Sequence, residues 1–457
     1  MKLLRWFSGV LACSVAAHAL AQERAVLADI STATSEEVEA WRAAPGVSWW
    51  LELGDDLLLS GDVSAMQSAV GERVVLRDLG VLSPNDLVLH ARGCGPDRAP
   101  ADLLVFPGSR YDLLRRPDAA RMAALAHEDA AHLGAAEWVD VEPNSVIARQ
   151  YRLERSVALA ADPRIEPLVA KVDPVRWFAD VQTLAAWDRS TYGTDLAPAR
   201  QWIAARFAAL GLAVSEPVFT VTWGANTYTP SNVIGRINGI SRPDDWIIVG
   251  GHYDSRNASN TPGSTANTPG ADDNATGCSA VLELARIFSH HRPAATMLFM
   301  CYAGEEQGLV GSNAHANTLQ ASGDLAKVRL MANMDMIGWS ANAVLGADLD
   351  TTSTFVATRT LFADAAATYV PELAITVSWL TCCSDHMPYI NRGVPAILSI
   401  HKNYNGYVHY HQTSDTPANL GAHAQSIGGA IMRMNVAAVA QVAGPMDRIF
   451  ANGADPQ

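Results

Sequence analysis

Four apolar runs, each leading into a polar cluster that holds acids or histidines, constrain this chain more than any other feature. They occupy residues 246–251, 297–301, 328–334 and 395–398. A continuous apolar run is the mark of a strand covered on both faces, as in a parallel sheet flanked by helices. Long apolar strands alternate with helical periodicity from about residue 175 onward. The expected fold is therefore α/β, three-layer αβα, with a largely parallel mixed sheet.

The residues just past each run carry the chemistry. The first run leads into His252-Tyr253-Asp254 and the second into Gly304-Glu305-Glu306. The third leads into Asp335, and the fourth leads toward a loop holding His409 and His411. A fifth cluster, Gly270-Ala271-Asp272-Asp273-Asn274, precedes a helix beginning near Thr276. Sites in open α/β sheets form beyond the carboxyl ends of strands, so five distant segments can converge on one crevice. Two histidines and three carboxylates, without cysteine, suit zinc or a similar divalent ion. One carboxylate between two ions can bridge them. Asp254, two residues after His252 on a strand end, points to the same side and can fix the imidazole tautomer. Of the adjacent Glu305 and Glu306, one can ligate while the other serves as general base.

Six motifs in order resemble a known family. They are Gly251-His252-Tyr253-Asp254-Ser255, Pro269-Gly270-Ala271-Asp272-Asp273-Asn274, and Gly304-Glu305-Glu306-Gln307-Gly308. Asn333-Met334-Asp335-Met336, Cys383-Ser384-Asp385-His386 and His411-Gln412-Thr413-Ser414-Asp415-Thr416 complete the set. The resemblance is to the dizinc exopeptidases typified by secreted bacterial leucyl aminopeptidase, and it covers roughly residues 170–443. It implies two zinc ions per subunit and peptide substrates with a free N-terminus. It places Asp272 between the metals, with His252 and Asp335 on one and Glu306 and His411 on the other. Glu305 becomes the general base and Asp254 the support of His252. A cis peptide at Asp272–Asp273 is implied as well. The chain departs from the typifying enzyme where a tyrosine precedes the Cys-Ser-Asp-His motif, since Thr381 and Cys382 stand there. Tyr410, immediately before His411, is the expected oxyanion donor instead.

Other histidines are weaker candidates. His127 and His132 are five apart, which rotates the second by about 140° on a helix and breaks a zincin pattern. His409 rivals His411, and the Gln-Thr-Ser-Asp-Thr sequence after His411 favours the latter. His386, His401 and His290-His291 are expected to be solvated, capping or supporting groups. Met336 is expected either in the core or lining the substrate pocket.

The N-terminus has its own logic. Lys2 and Arg5, an apolar run over 6–17 and Ala19-Leu20-Ala21 read as a signal peptide over 1–21, and hence secretion to the periplasm or medium. No later segment is an uninterrupted apolar stretch of ~18 residues, so no membrane contact is expected after cleavage. Residues 22–160 read as a small α+β domain, with a linker over 161–174 and the peptidase-like region over 161–457. The small domain carries no catalytic signature, and its position suggests a propeptide that assists folding and inhibits. Net charge is −14 and there is no Lys/Arg run, so nucleic acid is not an expected partner. Five cysteines remain after residue 21, too few for a disulfide framework. Cys278 and Cys301 are expected as small core residues, and Cys382-Cys383 as thiols or a vicinal pair. Alternative readings are a glutaminyl-cyclase-like acyltransferase, a carboxypeptidase or N-acyl amino-acid hydrolase, and a non-catalytic binding relative.

Overall fold

The apolar runs lie side by side. In the computed structural model, which describes residues 23–91, 100–108, 111–130, 137–151, 160–379, 381, 383–444 and 447–448, all four are strands of one sheet. The N-terminal region supplies β1 (Arg24–Asp29), α1 (Ser35–Arg42), β2 (Val47–Gly54), β3 (Asp56–Gly61), α2 (Val63–Val70) and β4 (Leu76–Gly80). It continues with β5 (Leu87–Ala91), β6 (Leu104–Pro107), β7 (Tyr111–Arg115), α3 (Ala119–Ala130), β8 (Glu137–Asp140) and β9 (Ser145–Tyr151). Then come α4 (Glu166–Val169), α5 (Pro174–Leu184), α6 (Leu196–Ala209), β10 (Ala213–Ser215), β11 (Val221–Trp223), β12 (Asn226–Tyr228), β13 (Val233–Ile237) and β14 (Arg242–His252). Next are α7 (Gly277–Ser289), β15 (His291–Arg292), β16 (Ala295–Tyr302), α8 (Val310–Ser322), β17 (Val328–Met334) and β18 (Gly346–Asp350). The chain closes with α9 (Val356–Tyr369), β19 (Ala374–Ser378), α10 (Met387–Ile390), β20 (Ala396–His401), α11 (Ala424–Ala443) and β21 (Asp447–Arg448).

The main sheet runs β10-β13-β16-β14-β17-β20-β18-β19-β9-β2-β3-β1-β4. At its heart β16, β14, β17 and β20 are parallel neighbours, so their carboxyl ends share one edge. Alternation builds the layers. Ile247 and Val249 face a core formed with α5, α6, α7, α9 and α11, while Trp246 and Ile248 face a second core with α8 and α10. Local signals set the helix ends. The Asp173 side chain accepts from the backbone N–H of Val175 and Arg176 ahead of Pro174, and α6 stops two residues before Gly211, whose φ is +76°.

Three expectations change here. The N-terminal region has apolar clusters of its own, yet it does not stand apart from the sheet. Strand β9 pairs antiparallel with β19, from Tyr151 opposite Ile375 to Ala148 opposite Ser378. The edge of β19 offers unpaired backbone groups, and β9 satisfies them. The stretch expected as a linker is also not loose, because Ile165, Leu168 and Val169 are buried in the main core. Cys278 and Cys301 are fully buried, as core residues should be, but they form a disulfide with Cα atoms 5.5 Å apart. Cys383 is disulfide-bonded too. Cys94, Cys382, His132, the segment 1–21 and the side chain of His127 lie outside the described residues. No helix among the described residues is long and apolar enough to cross a membrane.

Candidate metal centre

Five segments meet at the shared edge. His252 ends β14 and Asp335 follows β17, while Glu305 and Glu306 follow β16. Asp273 comes from the turn ahead of α7 and His411 from the loop after β20. These side chains form two buried triads, His252–Asp273–Asp335 and Asp273–Glu306–His411, with Asp273 in both. Its Oδ1 lies 3.2 Å from His252 Nε2 and its Oδ2 2.9 Å from His411 Nε2. His252 Nε2 is 3.5 Å from Asp335 Oδ1, and His411 Nε2 is 3.3 Å from Glu306 Oε2.

The shared residue is therefore one position later than expected. Asp272 is fully buried but turned away from the triads. Its Oδ2 is 2.8 Å from His401 Nε2, and its Oδ1 accepts from the Gly338 N–H at 2.8 Å. The non-proline cis peptide is displaced likewise, to Asp273–Asn274. Two adjacent aspartates on a sharp turn cannot both face one crevice, and Asp415 sets the choice. Its carboxylate accepts from the backbone N–H of Asp272 at 2.9 Å and of Asp273 at 3.0 Å, while Tyr407 donates to it at 2.7 Å. Gly270, with φ +46°, makes the turn possible, since a Cβ there would sit 2.3 Å from the Asp273 carbonyl oxygen.

The surrounding groups hold the triads. Ser384 donates to Asp335 Oδ2 at 2.6 Å, leaving Oδ1 aimed inward. The His252 Nδ1 faces the Asp254 backbone carbonyl at 3.1 Å, with the Asp254 carboxylate at 3.5 Å. That carboxylate accepts from the backbone N–H groups of Glu305 and Glu306, both at 3.3 Å, and from the Thr191 hydroxyl at 3.1 Å. Asp254 thus links the two segments rather than serving His252 alone. Glu305 is in neither triad, and its Oε2 is 3.9 Å from His252 Nε2. Tyr410 stacks on His411 with ring centroids 3.9 Å apart. Of the rival residues, His409 Nδ1 pairs with the Ser414 hydroxyl and His386 Nε2 with the Thr381 hydroxyl. Met336 is buried in the main core.

The donor set fits divalent cations. Buried His252 Nε2, Asp335 Oδ1 and both Glu306 oxygens have no hydrogen-bond partner, though unpaired buried polar atoms are costly. Burial pushes Glu305 and Glu306 far above the ordinary carboxylate range, and the nearby carboxylates push further. Burial would raise Asp273 too, but the adjacent His252 and His411 imidazoles outweigh it and bring that carboxyl down. Burial opposes charging of His252, yet Glu305 and Asp335 overcome it and raise its pKa. His411 goes down because burial dominates. A cluster so rich in buried negative charge attracts cations.

An α/β sheet with two acid–histidine triads sharing one carboxylate at its carboxyl edge defines a protein class with a candidate two-ion site. A model of peptidase family M28 matches residues 232–435. A probable zinc metalloprotease of Leptosphaeria maculans is 30% identical over 307 residues, spanning 58% of this chain and 69% of that protein. The chain belongs to peptidase family M28. A probable zinc metalloprotease of Pyrenophora teres f. teres is 37% identical over 159 residues, 31% of this chain and 32% of that protein. The chain thus spans about a third of that relative's length. Among solved structures, an aminopeptidase from Aneurinibacillus sp. strain AM-1 aligns with a TM-score of 0.52 at 17% identity. It covers 64% of this chain and 98% of its own. The LapA aminopeptidase of Legionella pneumophila aligns with a TM-score of 0.53 at 16% identity, over 78% and 98%. These likenesses show the fold.

Sequence reasoning missed Asp415 as an organiser, although it lies inside the motif that singled out His411. It missed Arg189 altogether, because one arginine in a loop carries no pattern.

Proposed function

We propose that the protein is a secreted zinc aminopeptidase that removes the N-terminal residue of a peptide, with preference for a bulky apolar side chain. The observation that carries this reading is the pair of buried triads sharing Asp273, with Glu305 beside them. His252, Asp273 and Asp335 would hold one zinc, and Asp273, Glu306 and His411 the other. Ions bound there polarise a scissile carbonyl and make water acidic near neutral pH. Glu305 removes the proton of the attacking water and delivers it to the leaving amine. Asp254 keeps Glu305 and Glu306 in register by accepting their backbone N–H groups. Tyr410 donates to the oxyanion.

The Cys278–Cys301 disulfide supports secretion, since such bonds persist in oxidising compartments. We propose further that the N-terminal region is a propeptide that assists folding and covers the site. Support comes from the pairing of β9 on β19, the Lys402–Asp55 ion pair, and the Trp379 N–H donating to the Ile147 carbonyl. Lys402 adjoins His401, which holds Asp272.

The test uses one apolar peptide with its N-terminus free or acetylated. Release of the first residue only from the free form is expected. Cleavage of both, or only of the blocked form, overturns the aminopeptidase reading in favour of a carboxypeptidase or acyl hydrolase.

A further inference from the structure

Arg189 has no exposed surface and lies in the loop after α5, remote in sequence from every triad residue. Its guanidinium is spent on backbone carbonyls. The Nε donates to Tyr253 at 2.6 Å, Nη1 to Pro269 at 2.8 Å and Nη2 to Gly270 at 2.8 Å, with Leu184 a further acceptor of Nη1. Tyr253 lies between His252 and Asp254, and Pro269-Gly270 opens the turn that carries Asp273. One rigid, planar cation therefore ties the two segments that supply His252 and the shared carboxylate. The dipeptide Asp188-Arg189 fastens them again. The Arg189 carbonyl accepts from the Ser255 N–H at 3.1 Å, and Asp188 accepts from the Thr268 N–H at 2.8 Å. Ser255 closes the loop by donating to the Thr268 carbonyl at 2.6 Å.

We infer that Arg189 is a positioning residue that preorganises the metal centre before any ion binds. This rests on the zinc reading above. Without ions, Asp273, Glu306 and Asp335 crowd one buried space with nothing between them, and something must hold their backbones together. The fork of donors does so by geometry, and its charge lies near Asp415, Asp254 and Asp273. Burial lowers Arg189 to about 10, so it stays charged at neutral pH. Lysine would keep the charge but not the planar reach to both segments. Outer groups that orient ligands typically contribute 10–100-fold in metal affinity.

The experiment is zinc titration of the metal-stripped full chain against a competing chelator, with metal content and thermal midpoint recorded for wild type and R189K. Wild type is expected to take up two ions. R189K is expected to bind zinc at least about tenfold more weakly while KM in excess zinc stays unchanged. Equal zinc affinity in a two-ion wild type and R189K, whatever the midpoint, overturns this inference and leaves the zinc reading intact. A wild type that binds no zinc overturns both. If R189K does not fold, hydrogen exchange on metal-free wild type decides. The amides of Ser255 and Ala275 should be as protected without zinc as with it, and loss of their protection without zinc overturns the inference.

Discussion

Glu52 in the N-terminal region and Glu306 in the C-terminal region are both buried, at 3% and 6% exposure. Their surroundings are opposite. Glu52 is held between two guanidiniums, with Arg149 Nε at 2.8 Å and Arg42 closer still. Glu306 has no hydrogen bond to either oxygen, and Arg256 stands 3.9 Å off. A carboxylate can be buried if the chain brings its own counter-charge, or if a counter-charge arrives from outside. The first arrangement is architecture and the second marks a site. Glu52 is of the first kind, while the parallel strand ends gather several of the second.

The largest expected effect lies at Glu305. Glu305→Gln should lower kcat by about 10²–10⁴ while zinc content stays at the wild-type level. A loss of metal in step with activity would make Glu305 a ligand. Next comes Tyr410→Phe, for which a fall in kcat of roughly 10²–10³ is expected if the hydroxyl serves the oxyanion. An unchanged kcat would remove Tyr410 from the reaction. Asp273→Asn and Asp272→Asn then separate the neighbours. The first should cost both ions, because the shared carboxylate belongs to both triads. The second should keep both and lower affinity about tenfold through a slackened turn. The reverse ranking would restore Asp272 to the shared position.

This pair also shows how far the sequence could be read. Apolar runs 246–251 and 297–301 became adjacent parallel strands because periodicity reports burial directly. The positions of His252, Glu306, Asp335 and His411, which the structure gathers into the triads, were legible because each follows such a run or sits in a six-motif order. The choice between Asp272 and Asp273 was not. It depends on which way a turn faces, and Asp415, 142 residues away, decides that with two hydrogen bonds. Nor could spacing reveal β9 beside β19, since backbone pairing at a sheet edge leaves little trace in side-chain pattern. The Cys278–Cys301 bond was hidden for the opposite reason. Buried cysteine is so ordinary in a core that its apolar setting says nothing of its partner.

Glu52 supplies the complementary test. Glu52→Gln leaves Arg42 and Arg149 without their carboxylate and should cost about 3 kcal/mol of stability. Peptide hydrolysis by the remaining folded protein should be unchanged. Activity that fell faster than folded fraction, followed by urea denaturation, would mean that the N-terminal region reaches the site more directly than its ion pairs imply. Separate expression of 161–457 extends this. Slow or failed folding that is rescued by 22–160 added in trans supports a folding helper, whereas prompt folding with unchanged activity removes the propeptide idea.

The smallest effect concerns Asp56, beside the Asp55 that pairs with Lys402. Burial, then the neighbouring Asp29 and Asp55, raises its pKa from 3.8 to about 6, and Arg77 and Lys402 only partly offset this. A carboxyl raised on folding keeps a proton that the unfolded chain has lost. Stability should therefore fall as pH rises from about 4 to about 6, with the full penalty above that window and none below it. Asp56→Asn removes the charge without changing the shape. It should stabilise the protein more at pH 6.5 than at pH 4.5. Because water reaches this group, the difference should be under about 1 kcal/mol. Urea midpoints of both proteins at the two pH values measure it. A gain that is the same at both values would mean that Asp56 does not titrate differently in the folded protein. The acidic turn would then belong with Glu52, fully compensated by the cations around it, and not with the under-compensated carboxylates at the strand ends.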